Sequence, residues 1–176
     1  MTALLLSLFL LAGAPAPAPL SMAISTQKKI LVVRINGQDV KRYDVAVGTP
    51  KHKTPMGRFG VRHIVWNPSW VPPKAKWSKG KKPAAPNDPK NPMKVVKLFF
   101  QEPDYYIHGT DQEETIGAAA SHGCIRMAQA DVYDLARFIM QNGGAQRSDA
   151  WYQEVINTAK PADVRLPKSV PLVIGK

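Results

Sequence analysis

The dipeptide Asn36-Gly37 constrains the fold most, because it stands between two alternating runs rich in β-branched residues. Asn-Gly accepts the positive backbone angles of a two-residue hairpin, so Lys29 to Ile35 and Val40 to Val47 are expected to pair antiparallel. Further strands are read at Gly60 to Val65, Lys94 to Phe100, Tyr105 to His108, Val164 to Leu166 and Val170 to Ile174. One segment has a different period. Val132, Leu135, Ala136, Ile139 and Met140 fall at i, i+3, i+4, i+7 and i+8, which is the apolar stripe of a helix. Asp131 and Asp134 lie early in it, Arg137 later, and Gly143-Gly144 closes it. A second short helix is expected after Ser148, ending before Pro161. The pattern predicts a mainly β domain with α elements.

Asn67 to Pro92 is rich in Pro, Lys and Trp and shows neither period. A loop this long is usually functional or disordered. It is read as a mobile flap, with Trp66, Trp70 and Trp77 as partly packed anchors.

The chemistry concentrates in Ser121-His122-Gly123-Cys124-Ile125-Arg126-Met127. This stretch holds the single cysteine and one of the four histidines, and His108 lies upstream in Tyr105-Tyr106-Ile107-His108-Gly109-Thr110. A thiol with imidazoles in reach is the minimal equipment for acyl transfer, since the thiolate is the nucleophile and an imidazole can generate it. Gly123 permits a sharp turn that would aim neighbouring amides at a developing oxyanion. Because the helix was expected soon after Cys124, the thiol is read as lying just before a helix start, where a thiolate is favoured. A lone cysteine is more often a small buried hydrophobe. A zinc site from His108, His122 and Cys124 is a further alternative.

The leader bears on that choice. The first 23 residues contain no Lys, Arg, Asp or Glu, and Ala3 to Ala12 is almost wholly apolar. Small residues and prolines follow, and Ser21-Met22-Ala23 has the small-x-small form of a cleavage site. Residues 1–23 are therefore read as a signal peptide, with an uncleaved anchor second, and 24–176 as one catalytic domain. Export to a periplasm or cell envelope makes an unpaired thiol a liability unless it is used. Net charge is +11, and Val45 to Asn87 carries nine Lys or Arg and no Asp or Glu. Such a basic field suits an anionic partner. Export argues against nucleic acid, and no nucleic-acid motif is present. Cell wall, with its free carboxylates, fits better, and peripheral association with wall or membrane follows. A non-catalytic wall-binding module would carry the same charge.

Ile107 to Thr110, Ile116-Gly117 and Ala120 to Met127 together resemble the signature of the L,D-transpeptidase catalytic domain, also called the YkuD family. Thr54-Pro55-Met56-Gly57-Arg58-Phe59 is similar to a family segment that walls the substrate groove, and Asn67 to Pro72 to another beside it. The resemblance covers about Lys29 to Ile174 and implies a β-sandwich-like fold of mixed sheets, with a helix packed on them after the nucleophile. It implies that Cys124 attacks the carbonyl between the third residue of a peptidoglycan tetrapeptide stem and the terminal D-alanine, leaving a thioester. An amine of another stem, a lipoprotein or a free D-amino acid then resolves it; water would make the enzyme an L,D-carboxypeptidase. His108 is the implied general base, oriented by the carbonyl of Gly109. Backbone amides of His122, Gly123 and Cys124 are the implied oxyanion donors. Arg126 and Ser121 are assigned to substrate binding, Ser121 with a competing role in bonding backbone near the turn. No cofactor or metal is implied. A Cys-His peptidase or amidase of another fold would use the same atoms.

Overall fold

The structure is a computed structural model and describes residues 19–176. Most of the expected leader therefore lies outside the described residues. Its proposed cleavage site does not. Leu20–Ser25 forms β1, which pairs antiparallel with β2 (Ile30–Ile35) and buries Leu20, Met22 and Ile24. Cutting after Ala23 would remove both Leu20 and Met22 from the core, at about 1.5–3 kcal/mol each. The described fold thus includes four residues ahead of the start expected at residue 24.

Asn36 and Gly37 take positive φ of 52° and 80°, turning β2 into β3 (Gln38–Asp44) as their identities require. The expected return strand stops at Asp44. Ala46 and the two-residue β4 (Val47–Gly48) leave it to pair elsewhere. There follow β5 (Gly57–Trp66), β6 (Lys94–Gln101), β7 (Tyr105–Gly109), β8 (Ala119–Ser121) and β9 (Ile125–Met127). Next come α1 (Gln129–Asn142), α2 (Asp149–Asn157) and β10 (Ala162–Gly175). The two closing strands read from the sequence are one long strand with a bulge between Arg165 and Val170. Arg62 Nε donates to Leu166 O at 3.0 Å, holding that irregular stretch to β5.

Eight strands form one mixed sheet in the order β3-β2-β1-β10-β5-β6-β7-β9, with β4 and β8 as a small parallel pair. Within the large sheet β1–β10 and β7–β9 are parallel, and the other neighbours are antiparallel. Ala46 and Arg126 exchange both backbone bonds at 2.9 Å, so the chain just beyond β3 meets β9 at the opposite edge. The sheet thus curls round on itself and covers its own edges.

α1 fills the inside of the curl. Its five predicted stripe residues are all fully buried, beside Leu98, Ile107, Ile125, Met127 and the completely buried Trp66. Trp66 Nε1 donates to Met140 Sδ at 3.1 Å, which satisfies the one polar atom of the indole. Lys41 Nζ and Tyr43 Oη from β3 both donate to Asp134, tying the far edge of the sheet to α1. Ser148 caps α2, accepting from Trp151 N at 3.2 Å.

Candidate active site

Side chains alternate across a strand, and β6, β7 and β9 use the two faces differently. Inward go Val96, Leu98, Ile107, Ile125 and Met127, all without exposure. Outward go Lys97, Tyr106, His108 and Arg126, with Cys124 one residue ahead of β9. Parallel register pairs Ile107 with Ile125 and His108 with Arg126. Adjacent strands lie about 4.8 Å apart. Cys124 is therefore set beside Tyr106 and His108 on the outer face. Tyr106 and His108 rings meet edge to face, with centroids 5.5 Å apart.

His108 is only 3 % exposed although it points away from the main core. Over the same face lies the 67–92 segment, whose Ser69 carbonyl accepts from Lys97 Nζ and which shares a small core with Met93. Trp70, Ala84 and Met93 are buried together, with Trp77 and Tyr106 packed against them. Asn91 is buried and donates to the carbonyls of Pro68 and Ala85. The expected flap is thus docked on the outer face by its own packing. Of its three tryptophans, Trp66 belongs to the main core, Trp70 to the small one, and Trp77 to the site.

His108 Nδ1 lies 2.8 Å from Gly109 O. A carbonyl only accepts, so Nδ1 carries the proton and Nε2 is the bare, basic nitrogen. Gly109 cannot take a side chain, because a Cβ there would lie 2.5 Å from Lys94 O. Burial drives the imidazolium form of His108 down to about 3, against the pull of the Gly109 carbonyl and with help from Arg126 and Lys97. Burial likewise pushes the Cys124 thiol up to about 11, opposed by the Tyr106 backbone amide, Lys97, the Tyr106 hydroxyl and Arg126. Sγ donates to Asp104 O at 3.4 Å. The resting pair is neutral thiol and neutral imidazole.

The thiolate-favouring helix start expected after Cys124 is absent. β9 intervenes, and α1 begins only at Gln129. Glu113 serves that helix end instead, its Oε1 accepting from Gln129 N at 2.9 Å. Of the acidic cluster at 111–114, this is the member with a defined structural task.

The turn carrying Cys124 is organised by Ser121. Its Oγ donates to Cys124 O at 2.6 Å and accepts from Gly123 N at 3.0 Å, and the residue is buried. Its donated proton and one accepted bond both go to backbone, the turn-bonding role weighed for it beside substrate binding. The Gly123 N–H, one of the expected oxyanion donors, is engaged by that bond. Among the described residues, the amides of His122 and Cys124 have no acceptor. Gly123 keeps a different necessity: its φ is +115°, and a Cβ would meet the Tyr105 ring at 2.8 Å.

His122 turns away from the thiol. Its ring stacks on Trp77 with centroids 4.0 Å apart and sits 4.8 Å from His52. Partial burial holds its pKa below the ordinary imidazole range, helped by His52, Lys81 and Arg126. Arg126 Nη1 donates to the neutral Gln112 Oε1 at 2.8 Å, and among the described residues it makes no ion pair. Thr49 N donates to Ser121 O at 3.1 Å, so the loop before Thr54-Pro55 does flank the Cys124 turn. Among the described residues, no three His, Cys, Asp or Glu side chains converge as metal ligands. Nor is any helix among them long and apolar enough to cross a membrane.

Three of the residues here were not singled out from the sequence: Lys97, Tyr106 and Gln112. Tyr106 carries a weak signal, an aromatic two residues before His108 and hence on its face. Lys97 carries another, a cation interrupting an apolar strand.

Comparison with known proteins agrees with this arrangement. The family model for YkuD, the L,D-transpeptidase catalytic domain, matches residues 21–159. YkuD of Bacillus subtilis, named for the L,D-transpeptidases, is 33% identical over 133 residues, which are 74% of this chain and 68% of that one. Among solved structures, an L,D-transpeptidase from Mycobacterium smegmatis superposes with a TM-score of 0.54 at 17% identity, over 89% of this chain and 58% of that one. The catalytic domain of the E. faecium L,D-transpeptidase gives 0.53 at 15% identity, over 88% of this chain and 95% of that domain. The chain thus spans a little over half of the mycobacterial protein and nearly all of the isolated catalytic domain.

Proposed function

We propose, from the premise that the chain belongs to the L,D-transpeptidase catalytic domain family, that it is an exported cysteine acyltransferase acting on peptidoglycan tetrapeptide stems. The observation that carries this reading is the neighbouring placement of Cys124, just ahead of β9, and His108 on β7, with Nε2 of His108 left basic by the Nδ1 bond to Gly109.

The reaction runs as follows. His108 Nε2 takes the thiol proton as Sγ attacks the carbonyl preceding the terminal D-alanine. The neutral resting pair favours a proton transfer coupled to attack over a standing ion pair. Negative charge on the carbonyl oxygen is met by the N–H groups of His122 and Cys124. The carbon–nitrogen bond breaks, His108 returns the proton to the departing D-alanine amine, and a thioester remains. An incoming amine attacks it, with His108 again taking and returning the proton. Arg126, without a carboxylate partner, is suited to a substrate carboxylate. His122, stacked on Trp77, acts by holding the flap to the nucleophile turn.

The apolar leader supports export to the periplasm or cell envelope, with cleavage ahead of Leu20. The lysine-rich flap supports peripheral association with the anionic wall.

The test is to incubate the exported protein with disaccharide-tetrapeptide, with and without an added amine, and resolve products by mass. Loss of D-alanine with gain of the acceptor is the expected result. Loss of D-alanine alone in both cases would make the enzyme an L,D-carboxypeptidase. No change in the tetrapeptide would defeat the proposal. N-terminal sequencing of the exported form decides the leader.

A further inference from the structure

Lys97 occupies a place in this site that its charge makes costly. Its Cα is the register partner of His108 on the neighbouring strand. Its ammonium lies 4.9 Å from the centroid of the Tyr106 ring and donates to Ser69 O, in the covering segment, at 2.9 Å. Among the described residues it makes no ion pair. An ammonium held under a covering loop without a counter-ion is destabilising unless an anion joins it. Tyr106, whose ring carries the ammonium, is also the residue beside Cys124.

We propose that Lys97 is a positioning residue for the nucleophile, its ammonium seated on the Tyr106 ring to stabilise the Cys124 thiolate. The proposal rests on Cys124 being the nucleophile. When the S–H bond breaks and His108 Nε2 takes the proton, the sulfur becomes negative on the face that Lys97 and Tyr106 share, and the counter-ion missing at rest is supplied. The groups around the thiol are Lys97 from β6, Tyr106 and His108 from β7, Asp104 from the turn between them, Arg126 from β9 and His122 from the nucleophile turn. Of these only Lys97 and Arg126 bear a resting positive charge, and Arg126 is engaged with Gln112. Burial lowers the Lys97 ammonium to about 8, resisted by the charge of Cys124. The ammonium is therefore present at neutral pH and titrates away above it.

The experiment is the pH dependence of Cys124 alkylation by iodoacetamide in the full chain, for the wild type, Lys97→Met and Lys97→Arg, with Cys124→Ala as the labelling control. It reads the thiol whether or not the chain transfers acyl groups, so its failure is distinct from failure of the transpeptidase reading. Lys97→Met should slow alkylation about tenfold at neutral pH, where Lys97 is charged, and converge with the wild type above about pH 8. Lys97→Arg should follow the wild type at neutral pH. Above about pH 8 it should outrun the wild type, because arginine keeps the charge that Lys97 loses. Should Lys97→Met fail to fold, that divergence still decides the matter. A wild-type profile in Lys97→Met, or no divergence of Lys97→Arg above pH 8, overturns the proposal. So does a slowing confined to the anionic reagent iodoacetate, which would make Lys97 a carboxylate-binding residue instead.

Discussion

The two faces of β6, β7 and β9 are built from the same strands and do opposite work. Inward, Leu98, Ile107, Ile125 and Met127 meet α1 with no polar atom to satisfy. Outward, Lys97, Tyr106, His108 and Arg126 gather with Cys124 beneath the 67–92 segment. A single strand can do both because its side chains alternate. The rigid inner face holds the outer one in register, and the outer face carries strain the inner one offsets: a neutral buried imidazole, a protonated thiol and an unpaired ammonium.

That contrast is broken most severely by exchanging the faces' tasks. Cys124→Ala should abolish turnover on tetrapeptide stems while leaving the urea midpoint near that of the wild type, since a small side chain replaces a small side chain. Ile107→Ala should do the reverse, lowering stability by about 2–5 kcal/mol in urea titration while its folded fraction keeps the outer cluster. Next in size is His108→Ala, expected to slow transfer roughly 10²–10⁴-fold through loss of the base. His108 also separates the faces by pH. Burial holds its folded-state pKa near 3 against 6.5 for the ordinary group. Below 6.5 the unfolded chain therefore binds the extra proton, and stability present above that pH is lost as pH falls toward 3. His108→Gln should flatten this acid limb in a series of thermal melts, and an unchanged limb would show that the ring is solvated.

Smaller effects sharpen the picture. Ser121→Ala frees both Gly123 N and Cys124 O, and should cost about 1 kcal/mol of stability with a larger fall in rate than in substrate affinity. Steady-state kinetics separates the two. Trp77→Ala removes the stack on His122, worth about 0.5–1.5 kcal/mol, and should raise KM more than it lowers kcat. An unaffected KM would detach the flap from the site.

Much of this was legible in the chain itself. The hairpin at Asn36-Gly37, the stripe of α1 and the Ser148 cap of α2 are written in residues a few positions apart, and local patterns of that kind survive folding. Cys124 and His108 were legible because their flanking residues make a long motif. Lys97 and Tyr106 were not, because their meaning depends on which residue of β6 lies across from which residue of β7. β9 was hidden by its length: three residues cannot display an alternation, so Cys124 was placed against the helix. The stretch read as a cleavage site has a second reading that shows only in the sheet. Small residues at 21 and 23 satisfy a peptidase pattern, and they are also what β1 presents on the face away from Leu20 and Met22.

The central claim is that Cys124 is an acylating nucleophile, and intact-protein mass after brief exposure to a carbapenem tests it most directly. The strained ring amide is a far better electrophile than a peptide, so a competent thiolate opens it and remains as a thioester. One drug mass on the wild type, absent from Cys124→Ala, is the predicted result. An adduct that persists on Cys124→Ala, or a wild type that turns over stems while acquiring none, would contradict it.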